Sequence, residues 1–475
     1  MNKSIRITSL FALVLIVILL ANLTWIQGFR EDELAQNPLN SRNFLEAKST
    51  PRGQISAGGQ ILAESYQDDN GYYQRQYVTS PQAFGPVQGY LSDIYGAAGL
   101  ELGYNSVLNG TDASLFTSQW LDVLTGAPTR GANIELTLDP DLQQTAYNQL
   151  SNNGYEGAVV ALRPSTGEVL AMASSPSFNP NAIVDPATAE NAWAEYTSDP
   201  QSPLLNHATQ ESLPPGSIFK IITTAAGLEN GYSADSTVTA EAAVTLPGTN
   251  TTLTNYAGQS CDGGGTTTLQ TAFALSCNTA FVEMSVDVGA DALRDAAEGF
   301  GVGETYDLGI PNVPGGLGEI PDDAALGQSS IGQRDVEMTV LQAAVMAATV
   351  SNGGVRMEPY LVSRVTGQDL SELSTHDPDS AGGIDQDIAE QITELMKASE
   401  RNTAGYTGAD IASKTGTAEH GAEGTPPHTW YVAFAGDVAV AVLVKNGGGM
   451  GSSATGGAVA APIGRAVLQA AGGLN

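Results

Sequence analysis

The opening 29 residues, "MNKSIRITSLFALVLIVILLANLTWIQGF", constrain this chain more than any later stretch. Leu10 to Ala21 is unbroken apolar sequence. With Ile7, Leu23, Trp25 and Ile26 around it, the segment reaches the roughly 20 residues a bilayer core requires. Lys3 and Arg6 precede the run and Trp25 stands at its far end, which predicts a tail inside and a body outside. A cleavable signal peptide is the competing reading. No small-x-small site follows the run, and "LAQNPLNSRN" soon after reads as chain meant to remain. The expectation is a tail over 1–9, an anchor over 10–28 and an exported body, all in a single-pass cell-membrane protein.

That body must carry its own core, and 42% hydrophobic against 15% charged residues allows a large one. At 475 residues the chain is comfortable for two domains. Asp and Glu number 51 against 19 Lys and Arg, a net charge of −32, so the surface repels phosphate backbones and anionic headgroups. Nucleic acid is therefore not an expected partner. Export permits a disulfide between Cys261 and Cys277, although two free buried thiols fit equally well.

Residues from about 30 to 130 are polar and turn-rich. "STPRGQISAGGQILAES" reads as short strands joined by glycine turns, and "YQDDNGYYQRQYV" as a hairpin around Asn70-Gly71. No catalytic constellation lies there, so the region reads as a scaffold or spacer. "IELTLDPDLQQTAYNQLSNNG" is a strand and then a helix that Asp139 or Asp141 can open. "GAVVALRPSTGEVLAMASS" and "TWYVAFAGDVAVAVLVKNGG" each read as a hairpin, the second turning at Gly436-Asp437, and "AVAAPIGRAVLQAAGG" closes the chain as a helix. "DLSELSTHDPDSAGGIDQD" reads as a polar surface excursion. The fold class expected is α+β: an antiparallel sheet flanked by helices, preceded by a β-rich N-terminal domain.

Only six lysines occur, which makes Lys220 in "LPPGSIFKII" conspicuous. Pro214 and Pro215 can open a helix but not sit inside one, so a helix should begin near Gly216 and run to a cap at Gly231. Ile218, Phe219, Ile221, Ile222, Ala225, Ala226 and Leu228 surround most of its circumference, which marks it as buried. Ser217 and Lys220 then lie one turn apart on one face. A dehydrated amine loses its proton more easily, and a neutral amine beside a hydroxyl is a general base for that serine. A lysine snorkelling from a half-exposed helix is the ordinary alternative.

Two further patterns raise the weight of the first. "ALSCNTAF" offers the Ser276 hydroxyl and the Asn278 amide together, and "IASKTGTAEH" sets Lys414 ahead of Thr415, Gly416 and Thr417 on a strand-like run. A cation, two hydroxyls and a glycine permitting close approach suit a carboxylate-bearing ligand docked along a strand edge. A Ser-His-Asp hydrolase is disfavoured: there is no Gly-x-Ser-x-Gly elbow, and His420 and His428 fall in a Gly/Pro-rich loop. Two cysteines and four scattered histidines make no metal-ligand spacing.

Ser-x-x-Lys, Ser-x-Asn and Lys-Thr-Gly in this order resemble the penicillin-binding transpeptidases. "TPRGQI", "LTLDPDLQQTAY", "GAVVALRPSTGEVLAMASSPSFNPN", "LGQSSIGQRDVEMTVLQAAVMAATVSNGGV" and "KTGTAEHGAEGTPPHTWYVAFAG" are also similar to family sequence, so the likeness runs from about residue 50 to the C-terminus. One anchor and no room for a glycosyltransferase domain resemble the monofunctional class B type. "LAQNPLNSRN" and "GLELGYNSVLNG" resemble its actinobacterial penicillin-binding protein A subgroup.

The resemblance implies a non-catalytic pedestal over 29–150 and a transpeptidase domain over 151–475. It implies that Ser217 attacks the carbonyl between the two terminal D-alanines of a peptidoglycan stem peptide, with Lys220 taking its proton. The backbone N–H groups of Ser217 and Thr417 would form the oxyanion hole, a contribution of roughly 3–4 kcal/mol per donor. Ser276 would pass a proton to the leaving amine and Asn278 would bind the peptide backbone. Lys414 would supply positive potential, and Thr415 and Thr417 would bind the terminal carboxylate. No cofactor or metal is implied. The implied partners are stem peptides, β-lactams, a membrane glycosyltransferase and the elongation or division machinery. A D,D-carboxypeptidase, a β-lactamase-type hydrolase and a non-catalytic sensor or scaffold are the rival readings.

Overall fold

The computed structural model describes residues 2–29, 48–112, 115, 130–422 and 424–474. "LAQNPLNSRN" lies outside them. Helix α1 (Asn2–Phe29) contains the apolar run, and its stretch Ile5–Trp25 is long and apolar enough to cross a membrane and is not buried within the described residues. This fits a single-pass membrane anchor.

Beyond it come short strands β1 (Ile55–Ala57), β2 (Gln60–Gln67) and β3 (Tyr73–Tyr77), with the Asn-Gly turn between the last two, and then β4 (Asn133–Leu136). Helix α2 (Pro140–Ser151) opens at Asp139, whose carboxylate accepts from the N–H groups of Asp141 and Leu142. The hairpin β5 (Gly157–Leu162) and β6 (Val169–Ser175) follows. Helices α3 (Lys220–Glu229), α4 (Leu269–Ala274), α5 (Asn278–Val288) and α6 (Val340–Ser351) lie in the middle of the chain. Strands β7 (Val362–Thr366) and β8 (Glu372–Thr375) and helix α7 (Gln386–Asn402) lead to the last three strands. These are β9 (Ala412–Ala418), β10 (His428–Ala435) and β11 (Val438–Val444), and helix α8 (Gly456–Ala470) ends the chain.

Two sheets organise these elements. The larger has the order β8-β7-β4-β1-β2-β3, with only β1 and β4 parallel. Its outer strands β7 and β8 come from far along the chain, and β8 lies inside the segment read as a surface excursion. The second sheet is wholly antiparallel, in the order β9-β10-β11-β5-β6. Strands β5, β6, β10 and β11 are buried on both faces, which is why they read as continuous apolar runs rather than alternations. Helix α6 covers one face with the main core, and α2 and α8 cover the other with a second core. The expected helix-flanked antiparallel sheet is thus present. Strand β9, the one carrying Lys414, lies at its edge.

Candidate active site

The Ser217 turn forms where the sequence placed it. Gly216–Phe219 is a single 3-10 turn that continues into α3, and Gly216 has φ +56°, which the missing Cβ makes easy. That backbone leaves Ser217 half-buried and sends Lys220 inward, fully buried. Strand β9 lies directly against the turn. A Cβ on Gly416 would sit 2.7 Å from the Pro215 carbonyl oxygen and 3.1 Å from Ile218 Cγ2, so this approach requires glycine. The Trp430 indole on β10 donates to the Pro214 carbonyl at 2.9 Å and ties the proline pair to the sheet.

Ser276 precedes α5 with φ +61°, an uncommon conformation for a serine. Its hydroxyl sits between two buried amines: Lys414 Nζ donates to it at 2.8 Å and Lys220 Nζ lies 3.3 Å away. Lys220 also donates to the Ser276 carbonyl and to Asn278 Oδ1, both at 2.7 Å, and Lys414 to the Thr415 carbonyl at 3.1 Å. Phe281 and Phe273 lie beneath them, 5.3 Å from Lys220 Nζ and 5.7 Å from Lys414 Nζ.

Burial in this apolar setting dominates the electrostatics. It holds Lys414 down at about 7, and burial followed by repulsion from Lys414 holds Lys220 well below the usual lysine range. A neutral amine has two N–H donors and one lone pair. The Ser276 carbonyl and Asn278 Oδ1 use both donors of Lys220, leaving its lone pair for a hydroxyl proton.

The expected constellation is therefore assembled, with two differences. Among the described residues none hydrogen-bonds the Ser217 hydroxyl; the amine of Lys220 is held by Ser276 and Asn278 instead. Thr415 and Thr417 pair with Tyr431 and Thr429, whereas Lys414 and Gly416 pair with Val432 and Trp430. The two threonines thus share the strand face opposite Lys414, half-buried at the open edge, and Thr417 Oγ1 accepts from the Gly456 N–H at 3.4 Å. Cys261 and Cys277 are joined, their Cα atoms 5.9 Å apart, so the segment bearing Ser276 and Asn278 is fastened at Cys277 to the loop 255–261. His420 and His428 stack on one another at 3.8 Å and take no part in the Ser276 cluster.

Residues the motifs did not reveal hold the same segment. Asn278 Nδ2 donates to the Thr254 carbonyl at 3.0 Å, and Asn255 Oδ1 accepts from the Thr279 N–H at 3.1 Å. Asn255 also donates to the carbonyls of Glu241 and Gln259. No local pattern marks a lone asparagine as a clamp; only the buried helix start at Asn278 hints that something must satisfy it.

This fold and site define a serine-lysine acyl-transfer protein of the penicillin-binding class. The family model "Penicillin binding protein transpeptidase domain" matches residues 157–469, and the chain belongs to that family. A second model, "Penicillin binding protein A dimerisation domain", matches residues 52–134. Within the family the chain is a class B protein of the PbpA type. It is 46% identical to peptidoglycan D,D-transpeptidase PbpA of Mycolicibacterium smegmatis over 491 residues, spanning 99% of both chains. It is 44% identical to PbpA of Mycobacterium tuberculosis H37Rv over 487 residues, again 99% of both. The solved ceftriaxone acyl-enzyme complex of penicillin-binding protein A from M. tuberculosis matches with a TM-score of 0.86 and 44% identity. It covers 90% of this chain and 99% of that one.

Proposed function

We propose that this protein is a peptidoglycan D,D-transpeptidase that cross-links stem peptides through a Ser217 acyl-enzyme and is acylated and inhibited by β-lactams. The observation that carries the reading is the Ser276 hydroxyl held at 2.8 and 3.3 Å between two dehydrated lysines, beside a turn that leaves Ser217 accessible. Ser217 Oγ bonds to the carbonyl carbon of the penultimate D-alanine, and its proton passes to Lys220 Nζ. The C–N bond to the terminal D-alanine breaks, and the departing amine receives a proton through Ser276. An amine from a second stem peptide then displaces Ser217, which takes a proton back. The backbone N–H groups of Ser217 and Thr417 receive the oxyanion. Lys414 attracts the terminal carboxylate to the open edge of β9, where Thr415, Gly416 and Thr417 line its approach, and Asn278 holds the peptide backbone.

Residues 29–150 serve as a pedestal and 151–475 as the transpeptidase domain. Lys3 and Arg6 favour a cytoplasmic N-terminus, which puts the site outside the cell beside its substrate and a membrane glycosyltransferase of the elongation or division machinery. Fluorescent penicillin should label the wild type and leave Ser217→Ala unlabelled; a labelled variant refutes the nucleophile. With a stem-peptide donor, an added amine acceptor should divert product from hydrolysis to a cross-link. Hydrolysis alone would make the protein a carboxypeptidase or β-lactamase, and no turnover a sensor.

A further inference from the structure

Behind β9, on the face away from Lys414, four polar side chains from four elements meet. Glu400, in the last turn of α7, is 1% exposed. Its Oε2 accepts from Ser413 Oγ and from the Tyr431 hydroxyl at 3.0 Å, and its Oε1 accepts from Arg465 Nε of α8 at 2.8 Å. Arg465 also donates to the Ala404 carbonyl at 2.7 Å, and its guanidinium lies 6.0 Å from the centre of the Tyr431 ring. Burial, and then the Glu400 charge, raise the Tyr431 phenol above its ordinary range, so it remains a donor.

The position is an odd one for charge. The core on this side of the sheet is otherwise mainly aliphatic and, among the described residues, holds no other charged side chain in the cluster, with Val440, Val442, Val459 and Leu468 as representatives. Replacing a buried ion pair by apolar packing is often neutral or stabilising, so such a pair is better explained by the geometry it imposes than by stability. Here that geometry concerns the strand that faces the ligand. Among the described residues strand β9 has a ladder partner on one side only, β10. Its rotation about its own axis is therefore left to side chains, and successive residues hold it from opposite faces. Ser413 is fixed behind by Glu400, and Lys414 in front reaches Ser276.

We infer that Glu400 is a positioning residue: through Ser413, and with Tyr431 and Arg465, it sets the roll of β9 and so the placement of Lys414 for the substrate carboxylate. The inference rests on the reading of Lys414 as the carboxylate-attracting group. Loss of the anchor should cost carboxylate recognition specifically, not acylation in general.

The test compares acylation rate constants for benzylpenicillin and for its methyl ester in the full-length protein. Lys414→Met should collapse the preference for the free carboxylate. Ser413→Ala and Glu400→Gln should each lower that preference about fivefold or more, while Ser413→Thr, which keeps the hydroxyl, restores it. If Lys414→Met collapses the preference but Ser413→Ala leaves it intact, the positioning role is refuted and the site reading survives. If both anchor variants slow the two compounds equally, their role is structural and the inference is again overturned. If Lys414→Met itself preserves the preference, the site reading fails and the inference falls with it. Should Glu400→Gln not fold, the Ser413→Ala and Ser413→Thr pair decides alone.

Discussion

Replacing Lys414 by methionine, which keeps the length and removes the charge, tests the electrostatics of the site. Both amines contact one oxygen, at 2.8 and 3.3 Å. Their nitrogens are thus no more than about 6 Å apart, where two unit charges at an effective dielectric of about 20 repel by about 3 kcal/mol. Repulsion from Lys414 is one of the two causes that lower Lys220. Removing it lets Lys220 keep its proton to higher pH, while burial still holds it below the ordinary lysine value. Acylation needs the neutral amine, so the acid limb of the rate constant for acylation should move to higher pH. Below about pH 7, where Lys414 carries its charge, the rate should also fall at least about thirtyfold, because a buried charge partner of the ligand carboxylate worth about 2 kcal/mol or more is gone. The measurement is the fluorescent-penicillin acylation rate from pH 5 to 9 for both proteins. An acid limb that stays in place, or moves to lower pH, refutes the coupling of the two lysines through Ser276.

The same depressed values set a stability expectation. Lys414 titrates at about 7 when folded and near its ordinary 10.5 when unfolded, so between those values the unfolded chain binds more protons and stability rises with pH. Lys414→Met should therefore melt a few degrees higher than the wild type at pH 6, with the gap closing toward pH 10; a gap that widens with pH contradicts this. Opening the Cys261–Cys277 bridge should slow penicillin acylation by loosening the segment that bears Ser276 and Asn278. It should also lower stability by about 3 kcal/mol, the entropy of a loop of about 16 residues, in denaturant titrations with and without reductant. Unchanged acylation after verified reduction removes the first of these ideas. Gly416→Ala puts a methyl 2.7 Å from the Pro215 carbonyl oxygen, so acylation should fall at least about tenfold with Tm little changed; near-wild-type labelling would show that β9 can give way.

What could be read from the sequence was what is local. The hairpins at 157–175 and 428–444 announce themselves by apolar runs around short polar turns, and the Ser217 turn by two prolines, a glycine and a buried stripe. The three motifs could be joined because each is a fixed spacing of chemically distinctive residues. What was not legible depends on distance through space. Nothing in Glu372–Thr375 says that its polar residues pair with Val362–Thr366 as the outermost strand, since an edge strand needs no apolar alternation. The 3-10 turn correctly directs Lys220 inward, but its acceptors, the Ser276 carbonyl and Asn278 Oδ1, lie 56 and 58 residues away. Glu400 looks like any acidic residue near the end of an amphipathic helix; only the packing of α7 against β9, β10 and α8 gives it three donors.

The crossing of β7 onto β4 bears on the order in which the molecule can be built. The Ser363 hydroxyl bonds the Glu135 carbonyl across 228 residues of chain. As the polypeptide is made, the first sheet must wait with an open flank while residues 137–361, most of the acyl-transfer unit, are still being delivered. Closing so long a loop is slow, and an unpaired strand is sticky in the meantime. A fragment of residues 48–150, without the anchor, should accordingly aggregate, and appending residues 358–376 to it through a linker should restore a soluble, protease-resistant particle.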